Sequence, residues 1–108
     1  MDEGGKNATV TGSGGRTFTA EKMFAGVDNE LRVESGGGRV NVRLSQVQSI
    51  EFGGRNMGRL DVKVKLSTGD ELSGTIYSGA VFEFVYSGRV QVARAEELNA
   101  VNFKQEGQ

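Results

Sequence analysis

Residues 60–76 read LDVKVKLSTGDELSGTI, and this stretch decides the fold class. From Leu60 to Leu66 apolar and charged side chains alternate strictly, which is the pattern of a β-strand with one buried face. Thr68-Gly69-Asp70 supplies turn residues, and glycine tolerates the positive φ that tight turns need. A second apolar run follows the turn. The stretch therefore predicts a β-hairpin.

The same alternation recurs along the chain. Residues 30–34, 39–44 and 82–86 each place apolar side chains at every second position. Ser35–Gly38 and Ser87-Gly88 supply turns between neighbouring runs. The chain has 17 glycines and no proline, and its glycine content is more than twice the ordinary share of about 7%. We therefore expect an all-β fold built as a succession of hairpins.

The ionisable residues narrow the range of functions. The 108 residues include 13 basic and 14 acidic ones, so the net charge of −1 gives no overall attraction to nucleic acid or to an anionic membrane. The chain has neither histidine nor cysteine, which removes the commonest general base, thiolate nucleophiles and disulfides. No apolar run reaches the roughly 18 residues of a membrane span. We expect no catalytic, cofactor-binding or metal-binding residues and no enzyme activity.

An internal repeat is predicted from two matching segments. Residues 38–42 (GRVNV) match residues 88–92 (GRVQV), and each segment precedes a break in the alternation, at 45–48 and at 95–98, that predicts one helical or 3₁₀ turn. After one inserted residue, Val47, Ile50 and Phe52 match Leu98, Val101 and Phe103. The predicted organisation is a flexible N-terminus (1–7), a first β unit (8–53), a glycine-rich linker (54–59) and a second β unit (60–104), packed together as one compact domain.

Residues 60–76 also resemble the first Sm motif, in which a strand, a glycine turn and a second strand carrying a glycine follow one another. The resemblance covers under a fifth of the chain and implies a small five-stranded barrel and RNA binding. Tyr77-Ser78-Gly79-Ala80 stands where that family has an Asp and Asn pair that contacts RNA, and Gly88-Arg89 precedes a strand instead of ending one. The expected fold is all-β, either as duplicated Sm-like antiparallel barrels or as one β-sandwich or barrel formed from both halves.

Arginines that follow glycine are the candidate binding residues. Five of the eight arginines do so, namely Arg16, Arg39, Arg55, Arg59 and Arg89. In an up-and-down meander Arg16, Arg39 and Arg55 share one end of the first unit, where they are predicted to form a rim for an anion or a partner carboxylate. The alternative interpretation is that strands restart after glycine turns with a solvated residue.

The carboxylates and the glycine-rich turns give weaker candidates. The acidic pairs are Asp28 with Glu30, Asp70 with Glu71, and Glu96 with Glu97. All lie at predicted turns or strand ends, where solvated carboxylates are ordinary, and Asp28-Asn29-Glu30 offers too few ligands for a hard cation. Residues 12–15 (GSGG) lack the lysine of a phosphate loop and a following helix, so they predict a flexible hairpin.

The predicted core and function complete the expectations. The core residues are Leu31, Val33, Val40, Val42, Val47, Ile50, Phe52, Val62, Val64, Leu66, Leu72, Ile76, Phe82, Phe84, Val90, Val92, Leu98, Val101 and Phe103. The leading function is non-catalytic protein–protein interaction or self-association, through an uncovered strand edge or a barrel face. The alternative is an Sm-like RNA-binding protein.

Overall fold

Eleven β-strands make up the part of the chain that the computed structural model describes, residues 7–26 and 28–103. The strands are β1 (Ala8–Gly12), β2 (Thr17–Ala20), β3 (Lys22–Ala25), β4 (Glu30–Ser35), β5 (Gly38–Arg43), β6 (Val47–Asn56), β7 (Arg59–Leu66), β8 (Glu71–Tyr77), β9 (Val81–Tyr86), β10 (Arg89–Arg94) and β11 (Leu98–Phe103). Two 3₁₀ turns, Leu44–Gln46 and Ala95–Glu97, are the helical elements of these residues. None of the described helical segments could cross a membrane. The predicted all-β class and the two short helical turns are confirmed.

The strands form two antiparallel sheets joined by a bend. The larger sheet has the order β2-β1-β11-β6-β7-β8-β4-β5, and the smaller sheet has the order β10-β9-β3. Glu21 alone separates β2 from β3, and its N–H donates a hydrogen bond of 2.8 Å to the Val85 carbonyl oxygen in β9. Among the described residues both sheets are open, so the structure gives no support to a closed Sm-like barrel.

The succession of elements recurs at a constant spacing. β4, β5, the first 3₁₀ turn and β6 begin at Glu30, Gly38, Leu44 and Val47, whereas β9, β10, the second 3₁₀ turn and β11 begin 51 residues later, at Val81, Arg89, Ala95 and Leu98. β6 and β11 pair with each other, and Ile50 lies opposite Val101, its counterpart at that spacing. The pairing is therefore symmetric about these two residues. A common origin of the two halves stays a prediction.

Strand pairing ties the two predicted units together. β1 pairs with β11, and β7 pairs with β6. β4 pairs with β8, and β3 pairs with β9. Each of these pairings joins a strand of residues 8–53 to a strand of residues 60–104. Residues 54–59, the predicted linker, form the end of β6, a two-residue turn and the first residue of β7.

One apolar cluster forms the core. Its largest fully buried side chains are Phe82, Phe84, Met23, Leu31, Leu44, Ile50, Val10, Val33, Val47, Val64 and Val101. Most of the predicted core is confirmed, with Leu66 and Leu72 packed partly buried against the cluster. Three predicted core residues are exposed instead, because Val40, Val90 and Val92 keep 40%, 63% and 57% of their surface accessible.

The β9–β10 hairpin explains why Val90 and Val92 are exposed. Ser87-Gly88 is a two-residue turn with positive φ at both positions, and the register that it sets places Phe84 opposite Gln91. Phe84 is fully buried. Cross-strand partners share a face of the sheet, so Gln91 lies on the core side and the valines on either side of it point outwards.

The predicted match of residues 38–42 with residues 88–92 is wrong by one residue. β5 begins at Gly38 and β10 begins at Arg89, so the element spacing is 51 residues without an insertion. The counterpart of Val40 is Gln91, not Val90. A slip of one residue moves every side chain of a strand to the opposite face. The valines of β10 were thereby assigned to the core.

Gly74 allows β8 to approach β4 closely. A β-carbon at this position would lie 2.2 Å from the Glu34 carbonyl oxygen and 2.8 Å from Val33 Cγ1. Glu34 and Thr75 are the residue pair that joins these two strands. Only glycine fits such a contact without displacing the neighbouring strand.

The turn between β6 and β7 carries an unusual residue. Met57 has φ 54° and is 95% exposed, and Gly58 follows it with φ 80°. Such turns favour asparagine, aspartate or glycine at the first position, because other side chains are strained at positive φ. The methionine therefore lowers the stability of this hairpin.

Candidate functional site

The three predicted rim arginines lie on different parts of the sheet. Arg16 lies in the turn before β2, where its carbonyl oxygen accepts a hydrogen bond from the Gly12 N–H. Arg55 lies near the end of β6, and its guanidinium forms an ion pair with Glu96. Arg39 lies on β5, which β4, β8 and β7 separate from β6 in the strand order. Anion binding by these residues stays a prediction.

The best predicted cation site serves the turn before β4. Asn29 has φ 55°, and its Oδ1 atom accepts a hydrogen bond of 2.8 Å from the Ala25 N–H. Asp28 Oδ2 lies 3.7 Å from Arg32 Nη2. In residues 7–26 and 28–103 no group of three or more Asp, Glu, His or Cys side chains could hold a metal ion.

A cleft of about 490 Å³ opens beside β4, β8 and the start of β9. Leu31, Ile76 and Phe82 contribute apolar side chains to its lining. Its charged lining residues are Asp28, Glu30, Glu34, Arg32, Arg39 and Arg59. The two signs are equal in number and partly paired within the protein, since Arg59 Nε lies 3.8 Å from Glu34 Oε1. The cleft therefore has no charge preference for an anion or a cation.

Two edge hairpins have the same backbone design. β5 ends the larger sheet and β10 ends the smaller one, and each pairs with one strand among the described residues. The turns Gly36-Gly37 and Ser87-Gly88 both have two residues with positive φ, which is the turn type that fits the twist of a hairpin. The two edges therefore differ in their side chains and not in their main-chain geometry.

The hairpin register defines which main-chain groups are open on β10. The pair that flanks a two-residue turn exchanges two hydrogen bonds, and every second residue from it directs its N–H and C=O away from the partner strand. Tyr86 and Arg89 are the flanking pair, so Val90, Val92 and Arg94 direct these groups to the edge. The Arg94 N–H already donates a bond of 2.8 Å to a Glu97 side-chain oxygen.

The open edge is consequently short. With the Arg94 N–H engaged and the chain turning into the second 3₁₀ turn, the edge offers the N–H and C=O groups of Val90 and Val92. Unpaired groups of this kind are a template for another strand. No residue of the described chain pairs with them.

The outward surface of the smaller sheet is apolar beside this edge. We call the surface formed by Val81, Val85, Val90 and Val92 the β10 face. Val81 is 47% exposed in addition to the two valines of β10. On β5, Arg39 and Asn41 occupy the positions that correspond to Val90 and Val92 at the 51-residue spacing. Only one of the two edges thus combines open main-chain groups with apolar side chains.

Comparison with known proteins establishes similarity of fold. No family model matches the chain, and no curated protein matches it in sequence. The chain is similar to the X-ray crystal structure of protein VPA1032 from Vibrio parahaemolyticus, with a TM-score of 0.73 and 8% sequence identity. The match covers 95% of this chain and 50% of that chain, so this chain spans about half the length of the matched protein. At this identity the similarity shows the fold alone.

Sequence reasoning predicted an uncovered strand edge without locating it. The signal was present in the turn, because a two-residue connection at Ser87-Gly88 forces Phe84 to face Gln91. With Phe84 in the core, Val90 and Val92 can only point outwards. The apparent match between the two GRV segments hid this register.

Proposed function

We propose that the protein is a non-catalytic protein-binding module that accepts a strand at the β10 edge. One observation carries the proposal: Val90 and Val92 are 63% and 57% exposed, on a strand whose outward N–H and C=O groups have no partner among the described residues. An added strand gains main-chain hydrogen bonds, and its alternate side chains cover the valines.

The contrast with β5 supports this function over an incidental exposure. Natural proteins protect sheet edges with charged or polar residues, which oppose the docking of another strand. β5 follows that rule, because Arg39, Asn41 and Arg43 share the face that β10 fills with valines. The same chain therefore protects one edge and leaves the corresponding edge apolar.

The partner is an extended segment of protein with apolar side chains at alternate positions. Its apolar side chains pack on Val90 and Val92, each of which offers about 1.5–3 kcal/mol when its side chain is fully buried. Glu83 lies opposite Val92 in the sheet, and Arg94 lies at the end of the strand. Polar residues at the ends of the added segment therefore complement the edge.

Amide shifts during a titration test the proposal directly. A soluble peptide that alternates valine with polar residues is added to ¹⁵N-labelled protein, and we expect saturable shifts at the Val90 and Val92 amides. The Arg39 and Asn41 amides, on the matched edge, are expected to stay unchanged. Shifts on β5, or no shifts at all, would contradict the proposal.

A charge variant and its control sharpen this test. Val90→Lys with Val92→Lys places two charges on the open edge and is expected to abolish the peptide shifts. Asn41→Lys makes a similar change on β5 and is expected to leave them intact. RNA binding, the function that the Sm resemblance implies, is an alternative outcome: salt-dependent shifts at Arg16, Arg39 and Arg55 on addition of single-stranded RNA would favour it.

A further inference from the structure

We infer that the strand which fits the β10 edge is β10 of a second copy of this chain, paired antiparallel about a twofold axis at Gln91. The inference rests on the proposed function and names its partner. It follows from two properties of the edge, the number of open main-chain groups and the order of the side chains.

The hydrogen bonds select one register. A twofold pair centred on Gln91 places Val90 opposite Val92 of the second copy and Val92 opposite Val90 of the second copy. Each of these pairs exchanges two hydrogen bonds, so the four open groups of one copy meet the four open groups of the other. A pair centred on Val92 would instead place Val90 opposite Arg94, whose N–H is already bonded to Glu97. That register leaves a main-chain acceptor without its donor.

The side chains fit the same register. Val90 and Val92 pack on each other across the axis, where β-branched cross-strand pairs stabilise a sheet. Gln91 faces Gln91 of the second copy, and their amides can donate to and accept from each other. Arg89 faces Ala93 of the second copy, so no two arginines lie opposite each other.

The dimer is expected to be weak and concentration-dependent. Pairing one short strand from each copy buries less than the 1,200–2,000 Å² or so of a stable protein interface. Monomer therefore predominates at micromolar concentration, and dimer forms towards the millimolar range.

A single cysteine reports the predicted contact. The chain has no cysteine, so Gln91→Cys introduces a unique thiol. Residues 91 of the two copies form a pair without direct hydrogen bonds, with Cα atoms about 4.5 Å apart, a separation that a disulfide can span. We expect mild oxidation of concentrated protein to give a covalent dimer. Val40→Cys, at the corresponding position on β5, is the control and is expected to stay monomeric.

Matched proline variants test the main-chain pairing. Val92→Pro removes an outward N–H without touching a bond to β9, which an edge strand tolerates. Asn41→Pro makes the same change at the corresponding position of β5. By analytical ultracentrifugation over a concentration series, we expect Val92→Pro to weaken the dimer at least about tenfold and Asn41→Pro to leave its dissociation constant within about twofold. Far-ultraviolet circular dichroism checks that both variants are folded.

The outcomes separate this inference from the proposed function. A wild-type protein that stays monomeric at millimolar concentration, with no Gln91→Cys crosslink, overturns the second copy as partner. If the alternating peptide then still shifts the Val90 and Val92 amides, the binding module stands and its strand comes from another protein. If the peptide gives no shifts either, both proposals fail. A dimer that persists in Val92→Pro, or that crosslinks through Val40→Cys, places the contact elsewhere and also overturns the inference.

Discussion

Replacing Gly74 with alanine is expected to force β8 away from β4. The new β-carbon would lie 2.2 Å from the Glu34 carbonyl oxygen and 2.8 Å from Val33 Cγ1, a fully buried side chain. Main-chain atoms cannot rotate out of the way, so one strand must move by roughly 1 Å to restore an ordinary contact. We expect a loss of about 3 kcal/mol in the free energy of unfolding, at the upper end of overpacking effects, because the displaced strands also lose the Glu34–Thr75 pair.

Urea unfolding with a matched alanine variant measures this effect. Gly54 has no atom within 4 Å of its would-be β-carbon and no positive φ. Gly54→Ala is therefore expected to be neutral or to stabilise the protein by up to about 0.5 kcal/mol. The comparison uses the unfolding midpoints, with the m-value unchanged in both variants. Equal midpoints for the two variants would refute the close approach of β8 to β4.

Three further predictions concern the core, the β6–β7 turn and the pairing between halves. Phe84→Ala is expected to cost about 3 kcal/mol in urea unfolding and Val90→Ala under about 0.5 kcal/mol; similar losses would contradict the outward position of Val90. Met57→Gly is expected to raise the free energy of unfolding by up to about 1 kcal/mol, because it removes the strain at φ 54°; a loss of stability would show that the exposed methionine makes a contact that stabilises the fold. Cutting the chain between residues 56 and 57 is expected to leave neither fragment folded alone, with circular dichroism recovering on mixing; a cooperative transition in one isolated fragment would contradict this.

Local patterns in the sequence were sufficient to predict the strands. The run from Leu60 to Leu66 alternates as predicted, with Val62 and Val64 buried and the charged residues between them exposed. The 3₁₀ turns also lie where the alternation breaks. These features depend on neighbouring residues, so one chain segment contains all the information.

The pairing between distant strands could not be predicted in this way. Nothing in the sequence of β1 shows that its partner is β11, because the side-chain period of a strand is the same whichever strand lies beside it. The predicted arginine rim depended on such an assumption, since a simple meander would bring Arg39 and Arg55 to one end. In the structure β4, β8 and β7 lie between their strands.

The β10 face lies between these two cases. Its valines were recognised as strand residues, and the turn that orients them was identified from Ser87-Gly88. The error came from aligning glycine with glycine across the two halves, although turn length and not residue identity sets the register.

The pairing of β1 with β11 also has a consequence for folding order. Hairpins such as β4–β5 and β9–β10 can close within microseconds, but joining residues 8–12 to residues 98–103 closes a loop of nearly the whole described chain. On the ribosome, the second half follows the first by about 3–10 s at ordinary rates of synthesis. During that interval β1 lacks its partner β11, and β3 and β4 lack β9 and β8. The nascent first half therefore emerges with unsatisfied strands and is the stage at which this protein is most exposed to misassembly.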